Sequence, residues 1–185
     1  MSKGAPSPPS AGSTTSHAVF EGLFHRALHP TGAFADALRE AGYDLKRPQS
    51  RYPTHVWHAC LEVARRHAFG SLPEAEGYRR MGHRFIEGWF ETIIGKIIAV
   101  GLPLLGPERA LERAPRTWSA AQPDLKMELR KQAERHWEAT LREQGVLPDF
   151  CAGLLEGSAR VAGAPAASVT VRERGLDHCV LEVRW

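Results

Sequence analysis

The stretch that most constrains the fold is PDFCAGLLEGSARVAGAPAASVTVRERGLDHCVLEVRW, from Pro148 to Trp185. Pro148 to Ala162 carries apolar residues at helical spacing, and Ala167 to Arg174 and Cys179 to Trp185 alternate apolar with polar positions. Gly175 to His178 supplies the turn between those two strands. Strand side chains alternate between faces, so Cys179, Leu181, Val183 and Trp185 fall on one side. Free cysteine is commonly a small buried hydrophobe, and Cys179 is expected to point into the core.

Upstream the pattern is mostly helical. VFEGLFHRALHP is a short apolar segment that periodicity leaves open between strand and helix. Phe34 to Gly42 reads as a short helix, and Pro53 to Ala68 as a firmer one with Val56, Trp57, Cys60, Leu61, Ala64 and Ala68 on one face. Ser71-Leu72-Pro73-Glu74 fits a capping box, and apolar residues from Tyr78 to Ile98 then recur at helical spacing as one core helix. Gly106-Pro107-Glu108 restarts a helix that Pro115 is expected to end near Ala114. From Leu125 the period falls to two through KMELR and HWEATLR, with Lys131 to Arg135 as the turn. The order is helices, hairpin, helix, hairpin. It predicts an α+β domain over residues 18–185, an N-terminal helical layer packed on a small C-terminal antiparallel sheet. The polar stretch 1–17 reads as a disordered tail without the apolar run of a signal peptide.

Composition narrows the classes. A formal charge of +3 without a basic stripe argues against nucleic acid. Three widely spaced cysteines, Cys60, Cys151 and Cys179, argue against a disulfide framework and for a cytoplasmic location. Phe85 to Leu105 is the one membrane candidate, but Glu87, Glu91, Lys96 and Pro103 interrupt it, so a buried core helix is the better reading and no membrane span is expected.

The segments AGYDL, RYPTHVWHACLEVARRHAFG, GYRRMGHRFIEGWFETIIGK, LLGPERALERAP and FCAGLLEGSARVAG resemble a myxobacterial paralogous family with no assigned function. More distantly, Phe150, Gly153, Leu155 and Gly157 on the closing helix, then Gly175 and Cys179-Val180-Leu181-Glu182-Val183, look like the end of a four-vinyl-reductase domain. That superfamily includes haem–nitric-oxide-binding-like modules. The resemblance implies a related fold and a module that binds a hydrophobic small molecule or assembles with partners; shared fold does not transfer function. Two departures matter. The cysteine-rich metal pattern is reduced to Cys179, and RYPTHVW is not the tyrosine-serine-arginine signature that holds haem propionates in nitric-oxide sensors. No cofactor is expected.

No catalytic motif is present. A metal site would have to gather His136, Cys151, His178 and Cys179, of which only the last two are adjacent, and adjacent strand residues face opposite ways. No metal is expected. Arg79, Arg80, His83 and Arg84 form a basic patch, readable as a solvated helix face or as a seat for an anionic group or acidic partner. Glu87 and Glu91, one turn apart in an apolar stretch, are either general acid–base candidates or edge residues paired with a cation. Phe85, Trp89, Phe90, Ile93, Ile94 and Ile97 cover more than one stripe of the helix, which fits a domain core or a surface shared with a ligand or partner. The leading expectation is a non-enzymatic regulatory or sensory module that binds a small hydrophobic ligand or protein partner there. The alternatives are a homodimeric or scaffold subunit and an enzyme using Glu87 and Glu91.

Overall fold

The computed structural model describes residues 12–185, leaving aside the side chains of Ile94 and Ala99. Strand β1 (Thr14–Ser16) pairs antiparallel with β2 (Arg51–Pro53). Of the tail expected over residues 1–17, residues 1–11 lie outside the described residues. Its last part is ordered instead: Thr15 is buried, and its hydroxyl meets that of Thr54 at 3.3 Å. Small polar side chains anchor this strand, so no apolar pattern announced it.

Helix α1 (His17–Phe20) starts on the Ser16 side chain and runs into a π-helix, Glu21–Leu28, which settles the open segment as helical. Helices α2 (Gly32–Glu40) and α3 (Thr54–Ala68) follow as the periodicity predicts. Phe20, Phe24, Tyr43, Tyr52 and Trp57 are buried together, with Phe20 ring centroids 4.6 to 5.0 Å from Tyr52, Tyr43 and Trp57. Such aromatic contacts dominate the energetics of a helical layer.

Helix α4 (Glu74–Glu91) departs from the expected start. Pro73 sits at its N-cap and no side chain caps it, so the Ser71 box is not formed. The single core helix expected through Ile98 is also broken. Thr92 is extended and buried; its hydroxyl donates to the Trp89 carbonyl (2.7 Å) and accepts from the Gly95 N–H (3.0 Å). One side chain thus ends α4 and caps α5 (Ile93–Ala121). Within α5, Gly106 adopts φ 75°, ψ 165°, the break expected at Gly106-Pro107. Pro115 does not end the helix as expected. The Thr117 hydroxyl donates to the Arg113 carbonyl (3.2 Å), and Trp118 packs against both apolar cores. Tertiary packing outweighs the local cost of the proline.

Strands β3 (Lys126–Ala133), β4 (His136–Arg142), β5 (Ser168–Arg174) and β6 (His178–Arg184) form an antiparallel sheet in the order β3-β4-β6-β5. The first turn is narrower than expected, with Arg135 at φ 55° taking the left-handed position without glycine. Trp137, Ala139 and Leu141 stand opposite Val183, Leu181 and Cys179, all buried. Helix α6 (Pro148–Val161) covers that face. The fold is α+β, N-terminal helices packed on a C-terminal four-stranded antiparallel sheet.

Helix α6 joins two cores. Cys151, Ala152 and Leu155 belong to the sheet core, whereas Phe150 and Leu154 belong to the helical core with Trp57, Met81, Phe85 and Ile86. The approach to α4 is backbone-close. A Cβ on Gly153 would stand 2.1 Å from the Arg79 carbonyl oxygen, and one on Gly82 would stand 2.4 Å from that of Phe150. Gly153→Ala should therefore force the helices apart and lower stability by about 1–3 kcal/mol, the usual range for overpacking. Urea unfolding followed by circular dichroism measures this, and an unchanged midpoint would contradict the close approach.

Candidate functional site

The four basic residues of α4 do not form one open patch. Arg79 donates to Glu156 Oε1 (2.6 Å) and to the Val169 carbonyl (2.9 Å). His83 Nε2 lies 2.7 Å from Glu156 Oε2, and the Val169 N–H donates to Glu156 Oε1 (2.9 Å). Arg160 can only donate, and its Nη1 lies 3.2 Å from His83 Nδ1. Nδ1 therefore accepts, and Nε2 carries the proton given to Glu156. Arg80 is exposed and donates to Glu76 (2.6 Å), while Arg84 pairs with Glu87 and donates to the Ala27 carbonyl (2.8 Å). Two of the four residues thus turn inward to Glu156 and two sit outside.

Glu156 is buried where α4, α6 and β5 meet, and its sequence neighbours gave no sign of it. The only signal was a carboxylate set among buried helix positions. Burial raises its pKa, but the His83 hydrogen bond, the Val169 N–H and the Arg79 charge together outweigh that and hold the carboxyl below the ordinary value of 4.5.

Glu87 and Glu91 are both exposed, and neither is among the described residues that line the cleft between α4, α5 and α6. The acid–base alternative needs them to converge in an apolar pocket, and they do not.

The cavity is a half-open cleft of about 440 Å³ between α4, α5 and α6. Its floor is aromatic. Phe85 and Trp89 stack with centroids 6.1 Å apart, and Trp57 and Phe150 stand edge-on to Phe85 at 6.2 and 6.0 Å. Ile97, Ile98, Gly101, Leu102 and Leu105 form one wall. Beyond Gly106 the wall continues as Ala110, Arg113, Ala114, Thr117, Trp118 and Ala121, a single helical face. Of the residues expected to bind a ligand, Phe85, Trp89, Phe90 and Ile97 line this cleft. Ile93 does not, and the Ile94 side chain lies outside the described residues. Arg113, Trp118 and Gln122 were not anticipated.

The same segment is apolar on its outer side. Ile93, Val100 and Leu104 are exposed by 80, 77 and 87 percent, and Ile97, at the edge between this side and the cleft, by 73 percent. The buried-core reading of Phe85 to Leu105 thus fails past Thr92, because the cap turns the chain into a new helix with one face on the cleft and one uncovered. Among the described residues no helix is long and apolar enough to cross a membrane.

All three cysteines are buried free thiols. Burial pushes Cys60 up to about 12 and Cys179 up to about 11, and raises Cys151 well above its ordinary value. None has the thiolate character that reactivity requires. No group of three metal-ligating side chains occurs among the described residues.

A family model described as "Protein of unknown function (DUF2378)" matches residues 13–185. No protein of curated function matches. Solved structures similar to this chain include H-NOX domains. A K. algicida H-NOX variant is 10% identical, with TM-score 0.63 over 91% of this chain and 95% of that one. An oxygen-binding H-NOX domain related to soluble guanylate cyclases is 16% identical, with TM-score 0.56 over 91% of each chain. A protein solved to examine haem redox potential under porphyrin distortion is 16% identical, with TM-score 0.58 over 91% of this chain and 96% of that one. At these identities the likeness is one of fold.

The Glu156 joint has a pH signature. A lowered folded pKa means that the contribution is full above the ordinary value of 4.5 and is lost as pH falls through the folded value. Glu156→Ala should cost about 3–5 kcal/mol at pH 7, as expected when a buried pair loses one partner. Arg80→Ala, at an exposed pair, should cost under about 1 kcal/mol. Urea titrations between pH 7 and 3 should show the gap between wild type and Glu156→Gln closing on the acid side. A gap independent of pH would show that the charge is not what holds the joint.

Proposed function

The chain belongs to the DUF2378 family, and from its H-NOX-like fold and apolar cleft we propose that it is a cytoplasmic, non-enzymatic sensory or regulatory module that binds a small hydrophobic ligand. The observation that carries this reading is the cleft itself. It holds about 440 Å³ between aromatic and aliphatic side chains, within the range of small-molecule sites. Among the described residues Arg113 is the only ionisable group in the lining, so the hydroxyls of Thr117 and Ser158 have no general base beside them there.

Haem is the group that the fold resemblance brings forward, and the cleft does not fit it. Haem iron takes an axial histidine, cysteine, methionine or tyrosine. Among the described residues none of these types lines the cleft. His83, on the neighbouring face of α4, is engaged with Glu156 and Arg160. The proposed ligand is therefore organic and metal-free.

Gly101 supplies a clean control. It lines the cleft, and a Cβ built on it meets nothing within 4 Å. Native mass spectrometry of the purified protein, followed by solvent extraction, should find a retained apolar molecule, and Gly101→Trp should lose it while remaining folded. Wild-type protein that is repeatedly empty and does not take up added apolar compounds would overturn the reading.

A second reading has its own observation. Ile93, Ile97, Val100 and Leu104 are spaced four, three and four apart, the period of a helix seam that packs on another helix of the same pattern. The occupant that fits is a second copy of this chain. Four such side chains offer roughly 300 Å² of aliphatic surface per copy, against about 800 Å² per partner in a standard interface. The seam would therefore form the centre of a weak dimer. Light scattering over a concentration series should show a dimer that Val100→Lys with Leu104→Lys returns to monomer; a wild-type monomer at every concentration would exclude it.

A further inference from the structure

Among the described residues the cleft lining carries one charge, and it is positive. On α5 the cleft-facing positions Ala110, Ala114, Trp118 and Ala121 are apolar, and Arg113 stands among them on the same face. Arg109 and Arg116, its basic neighbours on the helix, are exposed and do not line the cleft. Among the described residues no carboxylate lies within 4.0 Å of the Arg113 guanidinium, unlike Arg79, Arg80 and Arg84, which each have one. Arg113 is exposed, so its head lies at the mouth rather than in the depth.

Of the polar lining groups, Thr117 and Ser158 lie along the same stretch as Arg113, whereas the amide of Gln122 is buried and paired with Glu143. Thr117 is one turn along from Arg113 and lines the cleft. Ser158 of α6 lines it too, and it shares a second, smaller pocket with Ala110 and Ala114, which places it beside the same stretch of α5. The stacked Phe85 and Trp89 rings belong to the apolar floor. The cleft thus combines an apolar floor with one guanidinium and the Ser158 hydroxyl, the Thr117 hydroxyl being given to the Arg113 carbonyl.

We infer that the ligand is a single-chain amphiphile with one anionic head, a long-chain carboxylate, whose chain lies on the aromatic floor and whose carboxylate pairs with Arg113. This deepens the cleft reading above and rests on it. A guanidinium forms two parallel hydrogen bonds to a carboxylate, which a neutral alcohol of the same length does not accept.

Dodecanoate and 1-dodecanol, each kept below its aggregation concentration, separate the two claims. Binding is read from the fluorescence of Trp57, Trp89 and Trp118, all of which line the cleft. Dodecanoate should bind more tightly than 1-dodecanol, and Arg113→Gln should weaken dodecanoate by about tenfold or more while leaving 1-dodecanol unchanged. Arg116→Gln, off the cleft, should alter neither. Equal binding of acid and alcohol, or an acid affinity untouched by Arg113→Gln, would overturn the role of Arg113 and leave the apolar cleft standing. Binding of neither compound would overturn both.

Discussion

The structure depends on the joint between α4 and α6. Two helices approach there at glycine distance, and a buried carboxylate locks them. Glu156 receives Arg79 and His83 from α4 and the Val169 N–H from β5, so one side chain ties helical layer, bridging helix and sheet together. A buried carboxylate is costly unless every lone pair is engaged. Here the engaged partners also set the orientation of α6, which carries Phe150 and Leu154 to one core and Cys151 and Leu155 to the other. Gly82 and Gly153 make the same joint possible sterically, since a Cβ on either would meet backbone of the other helix.

The cleft follows from that arrangement. With α4 held against α6, Phe85, Trp89 and Phe150 are left as a floor, and α5 closes the other side. Thr92 decides how. Its hydroxyl ends one helix and caps the next, redirecting an apolar run that would otherwise have continued as a single buried helix. The redirected segment serves two surfaces, with Ile98 and Leu102 toward the cleft and Val100 and Leu104 toward solvent. The proposed ligand cleft and the proposed dimer seam thus share one short helix, and a copy packed on the outer seam would rest on the wall of the cleft.

The helices α2 and α3, the helix α6 and all four strands of the sheet were legible in the residues to within a few positions. Their apolar periodicities are local and each element buries one face. The candidate site was half legible. Phe85, Trp89, Phe90 and Ile97 were foreseen and share the cleft, whereas Ile93 turned outward once Thr92 broke the helix. The basic patch divided between an internal joint and the surface, and Glu87 and Glu91 stayed in solvent. Arg113 could not be told from Arg109 or Arg116 by sequence, because the difference lies in which helical face meets the cavity.

What the sequence determined by itself was the kind of layer each segment makes. Cys179, Leu181 and Val183 face inward because strand geometry alternates every residue, and nothing distant is needed to say so. What only tertiary structure decided was the meaning of polar and charged groups. Glu156 meets Arg79 from 77 positions away and His83 from 73, and Thr92 became a cap only where the chain could turn. Apolar burial is non-directional and shows in composition and period. A hydrogen bond or ion pair is directional and short-ranged, so its partner exists only once the chain has folded.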